Sequence, residues 1–270
     1  MQFTTATTAD LIKIEKLWVE IFGDSPQFAH FAANLCRPEE IYLIKENDEI
    51  AAMVNAGVDL YAYNKKGFYI YGLATVPQYR NKGYAKQLME YVEKKKLSEG
   101  YDFILTQPAG ESLFEFYRNM GYDNTVYLRK AVMEIKRNLW ATAEFDTITS
   151  TRFREMRSKY SEDEVVHFSK EGYEKFTEYV YTEGGSTAES KNAYCLYFED
   201  KEKIIVRDLF ADSTPYALQL LQAVRERTGK EKAEIQLSQN SPLFLGEGRL
   251  QPHCLVKNLN KELYANLMFD

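Results

Sequence analysis

Arg80-Asn81-Lys82-Gly83-Tyr84-Ala85 stand between a run of β-branched and aromatic residues and a run with helical periodicity. A turn in that place leaves the first backbone N–H groups of the following helix without partners. Those donors, at the positive end of the helix dipole, form a site for phosphate oxygens. Gly83 permits close backbone approach, Ala85 keeps the first turn uncluttered, and Arg80 and Lys82 add positive charge. The spacing is not the G-x-x-x-x-G-K-[ST] of a P-loop, and the chain contains no G-x-G-x-x-G. Taken alone, the six residues also fit an ordinary turn with surface charge.

Other reactive side chains form no such group. His30, His167 and His253 are isolated, and His253-Cys254 are adjacent rather than spaced for a metal, so no metal site is expected. Cys36, Cys195 and Cys254 are odd in number and far apart, which fits reduced core residues better than a disulfide framework. Lys94-Lys95-Lys96 reads as a solvated helix end, and Gly184-Gly185-Ser186 as a flexible loop.

Around the turn the elements are legible. Leu11, Ile14, Leu17, Trp18 and Ile21 recur at three and four, predicting an amphipathic helix from Thr8 to Phe22 with Thr7 or Thr8 as its cap. Ser25-Pro26 opens a second, short helix. Residues 41–46 and 49–63 read as strands, the latter with a break near Gly57, and Asn64-Lys65-Lys66-Gly67 as a hairpin turn. Residues 68–76 predict a buried central strand, and Ala85, Leu88, Met89 and Val92 a helix closed by Gly100. A second buried strand at 101–106, a short helix at 111–121 and a strand or strand pair at 122–135 follow. Strand, helix, strand is a βαβ unit, so the first half is α/β with a mixed sheet. A polar, Thr-rich stretch from Arg137 to Thr151 marks a boundary. Beyond it the plan partly repeats, with paired strands at 191–200 and 202–210, a helix from Pro215 to a cap at Gly229, and a strand at 232–238.

The stretch LATVPQYRNKGYAKQLM resembles the acetyl-coenzyme A signature of the GNAT N-acetyltransferase superfamily, [QR]-x-x-G-x-[GA] after a strand, and LFEFYRNMGY at 113–122 resembles that family's F-Y-x-x-x-G-[FY] segment. The resemblance covers residues 1 to 137. It implies a GNAT fold, with a mixed, mostly antiparallel sheet flanked by helices, in a catalytic domain at 1–137. A smaller, degenerate GNAT-like α/β domain at 138–270 would follow. It further implies that backbone amides of Asn81, Lys82, Gly83, Tyr84, Ala85 and Lys86 hold the pyrophosphate of acetyl-CoA as cosubstrate, with Arg80 part of the same site through its charge. The edge at Leu73, Ala74, Thr75 and Val76 would pair with the pantetheine. The N–H of Leu73 or its neighbour would face the thioester carbonyl, where negative charge develops as an amine attacks. Tyr117 matches the tyrosine that protonates the departing thiolate; a packed ring with a satisfied hydroxyl is the other reading of that residue.

Many family members carry a carboxylate at the start of the central strand, but here it reads Phe68-Tyr69-Ile70-Tyr71-Gly72, and Gln107-Pro108 replaces an asparagine often found after the next strand. The base is then a water chain or an acid from elsewhere: Asp24, Glu20, Glu111 or the chain terminus. A two-unit chain resembles, more loosely, the enhanced-intracellular-survival type, whose terminal carboxylate returns to the active site. That makes Asp270 a candidate base, with Met268 and Phe269 apolar enough to be buried. In the second half, Ala211-Asp212-Ser213-Thr214-Pro215 has no glycine and carries an acid where phosphate would sit, so no cofactor is expected there; that half would wall the acceptor cleft or give structural support.

The remaining classes are narrowed by composition. The 270 residues are 45% apolar with a formal charge of −6, so the chain can bury a core and has no basic field for nucleic acid. No stretch approaches the apolar length of a membrane span, and the start has neither a basic n-region nor a continuous apolar run. The expectation is a soluble, cytoplasmic N-acetyltransferase acting without metal on a small-molecule or peptide amine, by direct attack in a ternary complex. Its oligomeric state stays open. An aminoacyl transferase of the tandem-GNAT kind and a non-catalytic acyl-CoA sensor are the alternatives.

Overall fold

The computed structural model describes residues 1–160 and 163–269. The chain forms two compact units, one of Met1–Asn124 with Leu255–Asn260, the other of Thr125–Cys254 with Lys261–Asp270.

The first unit runs β1 (Gln2–Thr5), α1 (Leu11–Phe22), α2 (Pro26–Ala33), β2 (Ile41–Glu46), β3 (Glu49–Ala62), β4 (Lys65–Thr75), α3 (Tyr84–Ser98), β5 (Phe103–Thr106) and α4 (Glu111–Arg118). β1 to β4 are antiparallel neighbours in chain order, and β5 lies parallel to β4 with α3 as the crossover. Both hairpin turns are two residues long with positive φ, at Asn47-Asp48 and at Tyr63-Asn64, as the right-handed twist of the strands demands. The second turn therefore ends at Asn64, and Lys65 already pairs with Ala62. β3 does not break at Gly57; it carries a bulge in which Ala56 and Gly57 face Ile70 alone. α1 starts at Leu11, after a 3₁₀ turn at Thr8–Asp10 capped from Thr7.

Alternation along β4 divides the core. Phe68 and Ile70 pack with Leu88, Met89 and Val92 of α3, while Tyr71 and Ala74 pack with Ile14 and Trp18 of α1 and Ala29 and Ala32 of α2.

The second unit contains β6 (Asn124–Glu134), β7 (Glu144–Phe145), α5 (Ser150–Tyr160), β8 (His167–Phe168), α6 (Lys170–Thr182), β9 (Gly185–Ser190), β10 (Ala193–Glu199), β11 (Lys203–Ala211), α7 (Thr214–Thr228), β12 (Lys232–Ser238) and most of β13 (Gly248–Lys257). β9, β10 and β11 are antiparallel, and β12 returns parallel to β11 with α7 as the crossover. That is the plan of β2, β3, β4, α3 and β5, so the second unit repeats the first. The glycines at 184 and 185 do not form a loose loop: Gly184 turns with φ +76°, and Gly185 begins β9, where a Cβ would come within 2.8 Å of the Val180 carbonyl.

The division differs from the expected one at Arg137. β6 hydrogen-bonds along β12, from Leu128↔Ser238 to Glu134↔Lys232, and so belongs to the second unit. In the first unit the end of β13 pairs antiparallel with β5, Leu255 with Thr106 and Lys257 with Ile104. Ladder hydrogen bonds, not chain order, decide which core a strand completes.

Candidate active site

In the first unit, β4 and β5 part company. Their parallel ladder runs from Gly67/Phe103 to Ile70/Thr106 and stops, although β4 continues to Thr75. The cause lies on the other edge of β4. Met53 faces Ala74 and Asn55 faces Tyr71, so Gly72 and Leu73 together face Val54 in a bulge. Gly72 sits at φ +62°, and a Cβ there would lie 2.4 Å from the Trp18 ring. Only glycine permits both the backbone conformation and the indole against it. The bulge bends β4 and leaves Leu73, Ala74 and Thr75 with an edge that β5 does not occupy. The Thr75 hydroxyl is buried there without a hydrogen-bond partner within the protein, while the Val76 N–H is already given to the Ala51 carbonyl. An extended, amide-bearing ligand can use such an edge.

Tyr117 stands at the vertex of the opening. Its hydroxyl is hydrogen-bonded to Thr106, whose own hydroxyl donates to the Ile70 carbonyl, 3.2 Å away. This contact lies at the last pair of the β4/β5 ladder. Burial pushes its phenol up to about 12, against a smaller opposite effect of the Thr106 hydrogen bond. Below Tyr117, Tyr122 packs edge-on at 5.4 Å and donates to Glu93 Oε1 at 2.8 Å. Lys257 completes the network, donating to Glu93 Oε2 at 2.6 Å and to the Met120 carbonyl at 2.7 Å.

The turn at the other end of β4 has the expected form. A 3₁₀ turn at Pro77–Tyr79 leads to Arg80, Asn81 has φ +63°, and Gly83 at φ +75° is the N-cap of α3 with no side chain capping the helix. The first hydrogen bond of the helix is from Gln87 N to Gly83 O, so the N–H groups of Tyr84, Ala85 and Lys86 precede it and have no helical partner. Arg80 Nε donates to the Thr75 carbonyl at 3.2 Å, tying the turn to the strand end. Lys82 Nζ lies 5.1 Å from the Tyr79 ring centre, and Tyr79 stacks on Tyr84. Tyr84 is anchored by donating to Glu46 Oε1 at 2.5 Å, which raises its phenol and lowers the Glu46 carboxyl. All residues of the turn and of the strand edge therefore fall in one unit and on consecutive stretches of backbone.

The acids expected as bases separate. Glu20 and Glu111 are exposed. Asp24 accepts from Trp18 Nε1 at 2.8 Å, and Trp18 is the ring against Gly72, so Asp24 is tied to the bulge through one side chain. Asp270 lies outside the described residues; Met268 and Phe269 before it are buried, with the Phe269 ring among Phe168, Phe176 and Tyr179. Trp18, Gly72, Thr106 and Lys257 were not singled out for the site by their types or spacing. The one local signal was Gly72, since a glycine inside a strand run marks a bulge or a close approach.

Among the described residues no group of three or more His, Cys, Asp or Glu side chains is arranged to hold a metal ion, and no helix is long and apolar enough to cross a membrane. The three cysteines are free; burial pushes the Cys36 thiol up to about 12.

Comparison with known proteins matches this geometry. The fold is similar to that of a GCN5-related N-acetyltransferase from Kribbella flavida, with TM-score 0.75 and 16% identity over 94% of this chain and 70% of that one. It is similar to Eis1 from Mycobacterium abscessus, with TM-score 0.73 and 9% identity over 95% and 73%. It is also similar to Saccharomyces cerevisiae N-myristoyltransferase with bound myristoyl-CoA, with TM-score 0.59 and 11% identity over 97% and 83%. At these identities the likeness is one of fold. A search of curated proteins gives no match. The model of the acetyltransferase (GNAT) family matches residues 9–122, which span α1 to α4 with the bulge, the turn and Tyr117. Residues 9–122 are thus similar in sequence to the GNAT acetyltransferase family, in a chain whose fold is similar to that of GNAT proteins.

Proposed function

We propose that the protein transfers acetyl from acetyl-CoA to a primary amine, by direct attack in a ternary complex. The observation that carries this reading is the parting of β4 from β5 above Ile70/Thr106, with Tyr117 at its vertex and the uncapped start of α3 at its far end. In this reading the amides of Asn81 to Lys86 bind the pyrophosphate, with Arg80 and Lys82 supplying charge. Leu73, Ala74, Thr75 and Val76 line the pantetheine, whose amides and the Thr75 hydroxyl satisfy one another.

The amine nitrogen attacks the thioester carbon, the carbonyl oxygen gathers charge against the Leu73 N–H, and the carbon–sulfur bond breaks. The leaving thiolate takes a proton from Tyr117, and the phenolate regains one from the newly acylated nitrogen. A phenol near 12 holds its proton at neutral pH, and the same burial that raises it raises a thiol beside it, as at Cys36. Asp24 receives the proton of the substrate ammonium. The terminal carboxylate of Asp270, which lies outside the described residues, is the second candidate. Asp24→Asn and deletion of the last three residues separate the two, since only loss of the true base flattens the acid limb of the pH–rate profile. The free cysteines agree with a reducing, cytoplasmic setting.

The test is calorimetric titration with acetyl-CoA of the native chain and of Gly83→Asp, which brings a side chain, strain at φ +75° and a negative charge into the turn. One equivalent bound by the native protein and none by a folded variant supports the reading; no binding by either removes it. Binding without turnover over a broad amine panel would instead mark a sensor.

A further inference from the structure

The second unit repeats the parting of strands found in the first. β11 and β12 pair in parallel from Lys203/Lys232 to Val206/Ile235, and the ladder stops there although the strands run on to Ala211 and Ser238. The bulge is repeated too: Leu196 faces Asp208 and Tyr197 faces Val206, which leaves Arg207 as the extra residue of β11. The ends of both strands border a cavity of about 320 Å³ within this unit.

Its chemistry is unlike that of the first unit. The Thr214 hydroxyl at the start of α7 accepts from the Phe244 N–H at 3.1 Å, which straps the segment after β12 across the helix start. Pro215 has no N–H to offer a phosphate. Among the described lining residues there is no Lys, Arg or His, whereas Glu164 and Glu262 both contribute. Glu262 accepts from Gln239 Nε2 at 2.7 Å and Asn240 Nδ2 at 2.5 Å, which fixes its place at the rim. Phe210 and Tyr264, edge to face at 5.7 Å, supply an apolar wall. Arg157 lies near both rings, but it is paired with Asp208 at 2.6 Å and fully buried. The opposite wall is pinned by Arg129, which donates to the Ser241 carbonyl at 3.0 Å and the Leu243 carbonyl at 2.7 Å.

We propose that this cavity is a second ligand site, which takes a small organic ammonium ion. Its charged end lies at Glu164 and Glu262 and its carbon skeleton on Phe210 and Tyr264. Like charge repels a phosphate-bearing cofactor here, while a cation gains charge-assisted hydrogen bonds and a cation–π face. The site is independent of the acyl-transfer reading, and acetyl-CoA binding has no part in its test.

The experiment is calorimetric titration of the full chain with benzylamine and with cadaverine, using benzyl alcohol as the uncharged control. The native protein should bind at least one of the amines and not the alcohol. Glu164→Gln with Glu262→Gln should weaken that binding about tenfold at an unchanged unfolding temperature. Ser241→Phe, which fills the cavity without touching a charge, should weaken it as well, and Asp24→Asn in the first unit should leave it as in the native chain. Failure of the native chain to bind either amine would overturn the proposal. So would equal binding by the native chain and the Gln double variant, or loss of binding in Asp24→Asn alone.

Discussion

Lys257 Nζ donates to Glu93 Oε2 across 2.6 Å, joining a residue near the chain's end to the middle of α3 within the first unit. The same ammonium closes the end of α4 at the Met120 carbonyl, and Glu93 holds Tyr122 under Tyr117. The network therefore reaches the helix that carries the proposed acid at two points, the Met120 carbonyl and the Tyr117 ring.

Lys257→Met leaves Glu93 Oε2 and the Met120 carbonyl without their donor, with Tyr122 still donating to the carboxylate. Breaking a fully buried pair costs about 3–5 kcal/mol; with Lys257 side-chain exposure of 24% the expected loss is about 2 kcal/mol. Urea unfolding measures it. Because the loss loosens α4, kcat should fall more than the KM for the acyl donor rises. Replacing Glu93 by Gln in the same chain should recover part of the stability, since no buried charge is then stranded.

Gly72→Ala meets two penalties, a left-handed backbone at φ +62° and a methyl group 2.4 Å from the Trp18 ring. Together they should destabilise the protein by about 3 kcal/mol. Trp18→Ala in the same chain should relieve the clash and leave the backbone penalty of about 1 kcal/mol, set against the cavity made by losing the indole. Thermal unfolding of the single and double variants resolves the two contributions. Equal stability of native and Gly72→Ala would mean that β4 is not bulged at this point.

Tyr117→Phe should lower kcat about a hundredfold with little change in the KM for the acyl donor, as removal of a general acid does. The native enzyme should show no alkaline loss from this group up to about pH 10. Its folded phenol titrates at about 12, above the unfolded value of 10.0, so the folded state holds the proton longer. Stability from this residue is complete below about pH 10 and falls by about 3 kcal/mol as pH rises to about 12. Alkaline unfolding of Tyr117→Phe should be correspondingly less steep.

His167 behaves in the opposite sense. Burial, and then the Arg157 charge, push its imidazole down to about 4 from 6.5. The unfolded chain takes up this proton first, so the stability is present above about pH 6.5 and is lost as pH falls to about 4, by about 3 kcal/mol at most. His167→Asn should flatten that part of the acid limb in urea unfolding between about pH 7 and about pH 4. An unchanged slope would show that His167 takes up its proton as readily in the folded state, with Nδ1–H donating to the Tyr173 hydroxyl at 2.7 Å.

The sequence by itself determined the local terms. The three-and-four recurrence of Leu11, Ile14 and Trp18, the long apolar run of β4, and Gly83 before Tyr84 name a helix, a central strand and an uncapped helix start, because each follows from side-chain period or backbone freedom within a few residues. The repeat of that plan after residue 150 was legible for the same reason. Only the tertiary structure decided which strand completes which unit. β6 follows α4 in the chain yet pairs with β12, and the first unit is closed by Leu255–Lys257. It alone brought Trp18 onto Gly72 and Lys257 to Glu93, residues with no sequence relation. Such pairings depend on which apolar faces and buried charges meet once the helices have docked. Loop closure grows only slowly with separation, so nothing in the local pattern distinguishes a near partner from a far one.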